Sequence, residues 1–130
     1  MWPILPCTQV FNVIMRHKFR FKKLHRIKSA KLFQFVYKNG HSVVDPMGVL
    51  YVLPQEGSSC KLGLAVGKKL GNAVVRNHVK RMMREVYRTN RSELQRDAYI
   101  IWVARHKLVK ADIKTYQRVF LRLSKRAGLL

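Results

Sequence analysis

The sequence predicts a single small α+β domain whose elements follow the order α-β-β-β-α-β-α. Three observations carry this. The chain has 130 residues, 48% of them apolar, within the roughly 100–200 residues expected of one domain and enough for one core. Three β-prone runs follow one another between residues 41 and 66, each too short for a helix. A fourth, Ala98 to Ala104 (AYIIWVA), stands between two segments with helical spacing. Strands in succession, with only one sandwiched between helices, are the mark of α+β construction.

Taken in order, residues 1–15 (MWPILPCTQVFNVIM) differ in composition from the rest of the chain and are expected to be an N-terminal extension outside the fold, leaving residues 16–130 as the domain. Met15 is a candidate start, because the basic character begins at Arg16. The intact mass of natively expressed protein would decide that point. Arg16 to Lys28 (RHKFRFKKLHRIK) is a basic arm with Phe19, Phe21 and Leu24 interleaved. Ser29 has the chemistry of a helix N-cap. Leu32, Phe33, Val36 and Tyr37 then recur at helical spacing up to the Asn39-Gly40 stop signal. Strands are expected over His41 to Val44, Gly48 to Leu53 and Lys61 to Val66, with a polar loop at Pro54 to Ser59. The clearest helix runs from Asn72 to Thr89, and the strand Ala98 to Ala104 comes after it. Asp112 would cap a last helix with Ile113, Tyr116, Phe120 and Leu123 on one face. There is no internal repeat and no low-complexity tract.

The charge is the outlier of the composition. Lys and Arg number 27 against 6 Asp and Glu, for a net charge of +21, and the first acid is Asp45. Such a surface attracts polyanions, and neutralised phosphates release counterions when nucleic acid binds. The competing polyanion, a membrane, is disfavoured: no apolar run approaches the ~20 residues of a spanning helix. The first 15 residues lack a basic leader region and carry Pro3 and Pro6, so they read poorly as a signal peptide. Cys7 and Cys60 form neither a disulfide framework nor a metal spacing. Both are expected as free thiols in a reducing compartment, the cytoplasm.

Within Gly71 to Arg88 (GNAVVRNHVKRMMREVYR), Val75, Val79, Met82, Met83 and Val86 fall on one helical face. Arg76, Lys80, Arg84 and Arg88 recur at i,i+4 beside it, with Asn77 and Arg81 alongside and Glu85 at the margin. Like charges on adjacent turns destabilise an isolated helix, and a polyphosphate partner would remove that repulsion. Most cationic helix faces are simply solvated. Here the shortage of acids leaves few partners within the chain, so binding is the better reading, although charge alone does not separate DNA from RNA.

The motifs Gly63-Leu64-Ala65-Val66, Lys68-Lys69, Gly71-Asn72-Ala73-Val74 and Arg76-Asn77-x-x-Lys80-Arg81-x-x-Arg84-Glu85 resemble the signature of the bacterial ribonuclease P protein subunit family. Phe33-Gln34-x-Val36-Tyr37-Lys38-x-Gly40 is similar to that family's first helix and turn, Val49-Leu50-Tyr51 to a sheet strand, and Tyr99-Ile100-Ile101 with Ala104-Arg105 to the strand after the basic helix. The ordered set covers the chain from about residue 20 to its end. The resemblance implies a sandwich like one domain of a ribosomal protein, with a left-handed β-α-β crossover that periodicity could not reveal. It implies two partners, the catalytic RNA of ribonuclease P and precursor tRNA, and the task of removing the tRNA 5′ leader. Magnesium would be held mainly by the RNA subunit and the substrate, and the protein alone would not be catalytic. By position, Arg76, Asn77, Lys80, Arg81 and Arg84 would contact the RNA subunit. Phe33, Tyr37 and Tyr51 would line a cleft for the single-stranded leader, with Lys68 and Lys69 adding phosphate contacts. The plain alternative for Phe33 and Tyr37 is packing in the core of the first helix. The sequence departs from the family's pattern at His78, where a basic residue is common, and at the first helix, which lacks an acid before the Phe.

Other functions fit less well. A stand-alone nuclease would need carboxylates to hold metal or a His pair for acid–base work. The six acids are scattered, and His17, His25, His41, His78 and His106 are dispersed and expected in solvent or core. Gly63 to Lys69 (GLAVGKK) fails as a P-loop: three residues, not four, separate its glycines, and no Ser or Thr follows the Lys. A DNA-reading helix would need more polar side chains than Asn77 on its groove face. A ribosomal RNA-binding protein is the strongest alternative. Neither a membrane nor a small-molecule substrate is expected as a partner.

Overall fold

The computed structural model describes residues 26–27, 29–55 and 60–130. Ser29 starts the first helix as expected: its hydroxyl accepts the Leu32 N–H at 3.4 Å, one of the donors a helix start leaves without a partner. The helix, α1 (Ala30–Asn39), ends where the Gly40 N–H reaches the Val36 carbonyl at 2.8 Å. A Cβ on Gly40 would lie 2.7 Å from the carbonyl oxygens of both Val36 and Val52, so the turn from helix to sheet needs glycine for space.

Four strands come next, in the expected places: β1 (His41–Asp45), β2 (Gly48–Pro54), β3 (Lys61–Ala65) and β4 (Ala98–Ala104). Helix α2 (Ala73–Asn90) joins β3 to β4, and α3 (Ile113–Arg126) closes the order α-β-β-β-α-β-α. The sheet is mixed, in the order β1-β2-β4-β3. Strands β1 and β2 form an antiparallel hairpin, β2 pairs antiparallel with β4, and β3 runs parallel to β4. A parallel neighbour requires a long crossover, and α2 supplies it.

Alternation along the strands sends side chains to two faces. Leu50, Val52, Leu62, Ile100 and Trp102 meet α2 and α3 on one side, in the main core. Phe120 of α3 ties that layer together, its ring 5.0 Å from Trp102 and 6.0 Å from Tyr87 of α2. On the other face Ile101 packs with Ile27 and with Val36 of α1, flanked by Tyr51, Tyr99 and Val103. The layers are therefore α1, sheet, and α2 with α3.

Differences from the expected elements are small. Asp112 caps α3 by accepting the Thr115 N–H at 2.9 Å, but Ile113 is exposed rather than on the buried face. It stands at the first residue of the helix, ahead of the turn that meets the sheet, and Val119 joins Tyr116, Phe120 and Leu123 in the core instead. Strand β1 extends one residue further than expected, to Asp45, and β3 stops one earlier, at Ala65. Of the basic arm, Arg26 and Ile27 are described. They add a parallel rung beside β3, with the Ile27 N–H on the Leu62 carbonyl at 2.9 Å. The expected extension 1–15, the rest of the arm, Cys7, His17 and His25 lie outside the described residues, as do positions 56–59 of the polar loop.

Candidate nucleic-acid interface

Helix α2 is set at its start by two residues. Gly71 holds φ at +152°, a conformation that favours glycine. Asn72 then accepts the Val75 N–H on its side-chain oxygen at 3.0 Å. From there, Val79, Met83, Val86 and Tyr87 are buried, while Val75 and Met82 are half-buried at the border of the apolar face. The expected cations lie beside them. Arg76 and Lys80 are half-buried, and Asn77, Arg81 and Arg84 are exposed. His78 is exposed too, like His41 and His106.

Two details modify the ridge read from the sequence. Arg88 is not open at its far end: its Nε donates to Glu85 Oε2 at 3.1 Å and its Nη2 to Glu85 Oε1. The Arg88 guanidinium holds the Glu85 carboxyl below its ordinary range. The open row is thus Arg76, Lys80 and Arg84, flanked by Asn77 and Arg81. At its near end the Arg76 Nε is buried without a hydrogen-bond partner among the described residues. A donor left in that state is costly, and an external acceptor would satisfy it. The first turn of α2 carries no acid, so the positive end of the helix dipole is left uncompensated beside Arg76, and both favour an incoming anion there.

The aromatic residues converge on the other side of the sheet. Helix α1 lies across the row Tyr51–Ile101–Gly63, whose members are paired across β2, β4 and β3. The Phe33 ring sits directly on Gly63, where an added Cβ would be 2.6 Å from Phe33 Cζ. Tyr37 meets Tyr51 edge to face with ring centroids 4.7 Å apart and lies 6.3 Å from Phe33. Phe33 and Tyr51 are half-buried and Tyr37 is 36% exposed, so the three form a contiguous, partly open surface rather than closed core. Burial, then the neighbouring Tyr51, raise the Tyr37 hydroxyl above its ordinary value and keep it neutral. The next row of that face, Val44–Val49–Val103–Ala65, leads to the end of β3. Beyond it Lys68 and Lys69 stand exposed in the short turn Lys68–Leu70, ahead of α2.

All ten residues singled out from the sequence therefore fall into two groups, one on α2 and one on α1, the sheet and the β3–α2 turn. Sequence reasoning missed Gly63 as the seat of Phe33. The stretch Gly63 to Lys69, which fails as a P-loop, is instead the end of a strand and a turn. Sequence reasoning also missed the row beside the aromatics, because strand pairing register is invisible to local pattern. Cys60 is a free, buried thiol, pushed up by burial to about 11. Among the described residues no cluster of three or more His, Cys, Asp or Glu could hold a metal ion, and no helix is long and apolar enough to cross a membrane.

The family model described as Ribonuclease P matches residues 21–128, which span every one of these elements. This chain belongs to the ribonuclease P protein family. The Ribonuclease P protein component of Streptococcus agalactiae is 36% identical over 109 residues, covering 84% of this chain and 99% of that protein. The component of Symbiobacterium thermophilum is 39% identical over 110 residues, covering 84% and 96%. Among solved structures, the ribonuclease P protein of Staphylococcus aureus superposes with a TM-score of 0.74 at 35% identity, covering 81% of this chain and 96% of that one. The mixed four-stranded sheet and three helices are thus the architecture of ribonuclease P proteins.

Proposed function

We propose that this ribonuclease P protein binds both the catalytic RNA of ribonuclease P and the 5′ leader of precursor tRNA, assisting magnesium-dependent removal of the leader in the cytoplasm. The observation that carries this reading is the open aromatic trio Phe33, Tyr37 and Tyr51, with Lys68 and Lys69 beyond the same sheet face. Aromatic faces stack on bases of any sequence at roughly 1–3 kcal/mol per base, which suits leaders that vary. Arg76, Asn77, Lys80, Arg81 and Arg84 are assigned to the RNA subunit, where a cationic row takes phosphates without reading bases.

Magnesium is assigned to the RNA subunit and substrate, where it would activate the attacking water and stabilise the departing oxygen. Three of the six acids have other work: Asp45 pairs with Arg122, Glu85 with Arg88, and Asp112 caps α3. The protein's residues act by binding and positioning. Precursor tRNAs of graded leader length test this. With Phe33→Ala and Tyr37→Ala together, affinity for a long-leader substrate should fall at least tenfold, while affinity for a substrate without leader should hold. An equal loss for both substrates would refute the cleft.

A further inference from the structure

Helix α3 carries a second cationic row. Lys114, Arg118, Arg122 and Arg126 recur at i,i+4, Lys125 stands beside them, and the helix contains no acid. All five are exposed. The row is about 18 Å long at ~1.5 Å per residue, too long for a small anion and suited to a helical phosphate backbone. It is also held in place. The Arg118 Nη2 donates to Thr115 Oγ1 at 3.2 Å, Arg122 Nε to Asp45 Oδ2 at 2.8 Å, and Arg126 Nη1 to the Val44 carbonyl at 2.8 Å. Each guanidinium has five donors, so these bonds fix the side chains and leave N–H groups facing solvent. Arg122 keeps half its side chain exposed despite the ion pair. Cations already ordered in the free protein lose less freedom on binding.

The row points away from α2. The side of α3 that meets α2 bears Phe120, packed on Tyr87, and Gln117, which donates to Asn90 at 3.4 Å. Arg122 and Arg126 lie on the other flank, over the end of β1. We propose that this flank of α3 is a second RNA-binding surface, gripping the phosphate backbone of a segment of the ribonuclease P RNA different from the one that α2 engages. The inference rests on the RNA-binding reading proposed for α2 and extends it: the protein bridges two segments of one folded RNA.

The test uses the full-length chain and a transcribed bacterial ribonuclease P RNA. Lys114→Gln, Arg118→Gln and Lys125→Gln together spare the Asp45 and Val44 contacts and so the fold, which circular dichroism verifies. The slope of log affinity against log salt should become shallower by about two to three. Backbone footprinting should lose a protected segment that an Arg76→Ala, Lys80→Ala, Arg84→Ala variant retains. An unchanged slope and footprint would overturn the second surface while leaving the α2 assignment standing. Loss of the same segment from both variants would overturn it too, by showing one continuous surface. If the α2 variant also bound like the parent protein, the RNA-binding reading itself would fail and the α3 surface with it.

Discussion

Gly63 bears more on the aromatic surface than its size suggests. With the Phe33 ring seated on its backbone, a methyl group there has no room unless the ring moves. The ring is the free end of a side chain, so it is expected to swing rather than break the strand. Gly63→Ala should thus cost about 1–3 kcal/mol of stability, as overpacking does, and should disorganise the surface formed with Tyr37 and Tyr51. Denaturant melts and leader-length titrations on the same variant check both parts; wild-type leader discrimination would count against the seat. At the other edge of the sheet, Asp45 is buried beside Arg122. Burial alone would raise its carboxyl, but the Met47 N–H and the Arg122 guanidinium outweigh it and hold the group below its ordinary range. A carboxyl depressed in the folded state stabilises above its unfolded pKa, and that contribution disappears as pH falls through the folded value. Asp45→Asn should therefore destabilise the protein near neutral pH, and the gap between the two melting temperatures should close in acid. A gap that stays constant with pH would mean that the ion pair contributes nothing.

Helix α2 joins two tasks in one element, packing through Val79, Met83 and Val86 and presenting Arg76, Lys80 and Arg84. Asn72→Ala should cost about 1 kcal/mol, the worth of an N-cap, in thermal or urea melts, because its side chain holds the Val75 N–H at that end. The triple variant Arg76→Ala, Lys80→Ala, Arg84→Ala should keep the fold and reduce the salt dependence of RNA binding by about two to three in slope; an unaltered slope would refute the assignment. Much of this helix was legible in the sequence, because helical periodicity is local: the apolar face, the cationic row and the Asn72 start come from spacing alone. Arg88 is where local reading stopped short. Glu85 is three residues away, and whether the two side chains meet depends on rotamers that spacing does not specify. Ile113 shows the same limit, since its place on the apolar arc could not tell that the first residue of α3 stays exposed while Tyr116, three residues on, is buried.

For the whole molecule, the order of elements was readable because each strand and helix announces itself within a few residues. The sheet order was not, because β3 joins β4 only through the α2 crossover and pairing register is a long-range property. The row Tyr51–Ile101–Gly63, on which the aromatic surface is built, exists only once those three strands are side by side. The likeness to the ribonuclease P protein family gave the roles that periodicity could not. The resulting molecule is a sheet with an aromatic surface under α1 and cationic helices on the opposite layer, an arrangement suited to holding a single strand and a folded RNA together. Its central claim is tested most directly by reconstituting the chain with a bacterial ribonuclease P RNA and assaying 5′-leader cleavage of precursor tRNA at low magnesium, with and without the protein. Strong activation that grows with leader length over the first several nucleotides is the expected result. Absence of activation, with RNA binding retained, would contradict the account.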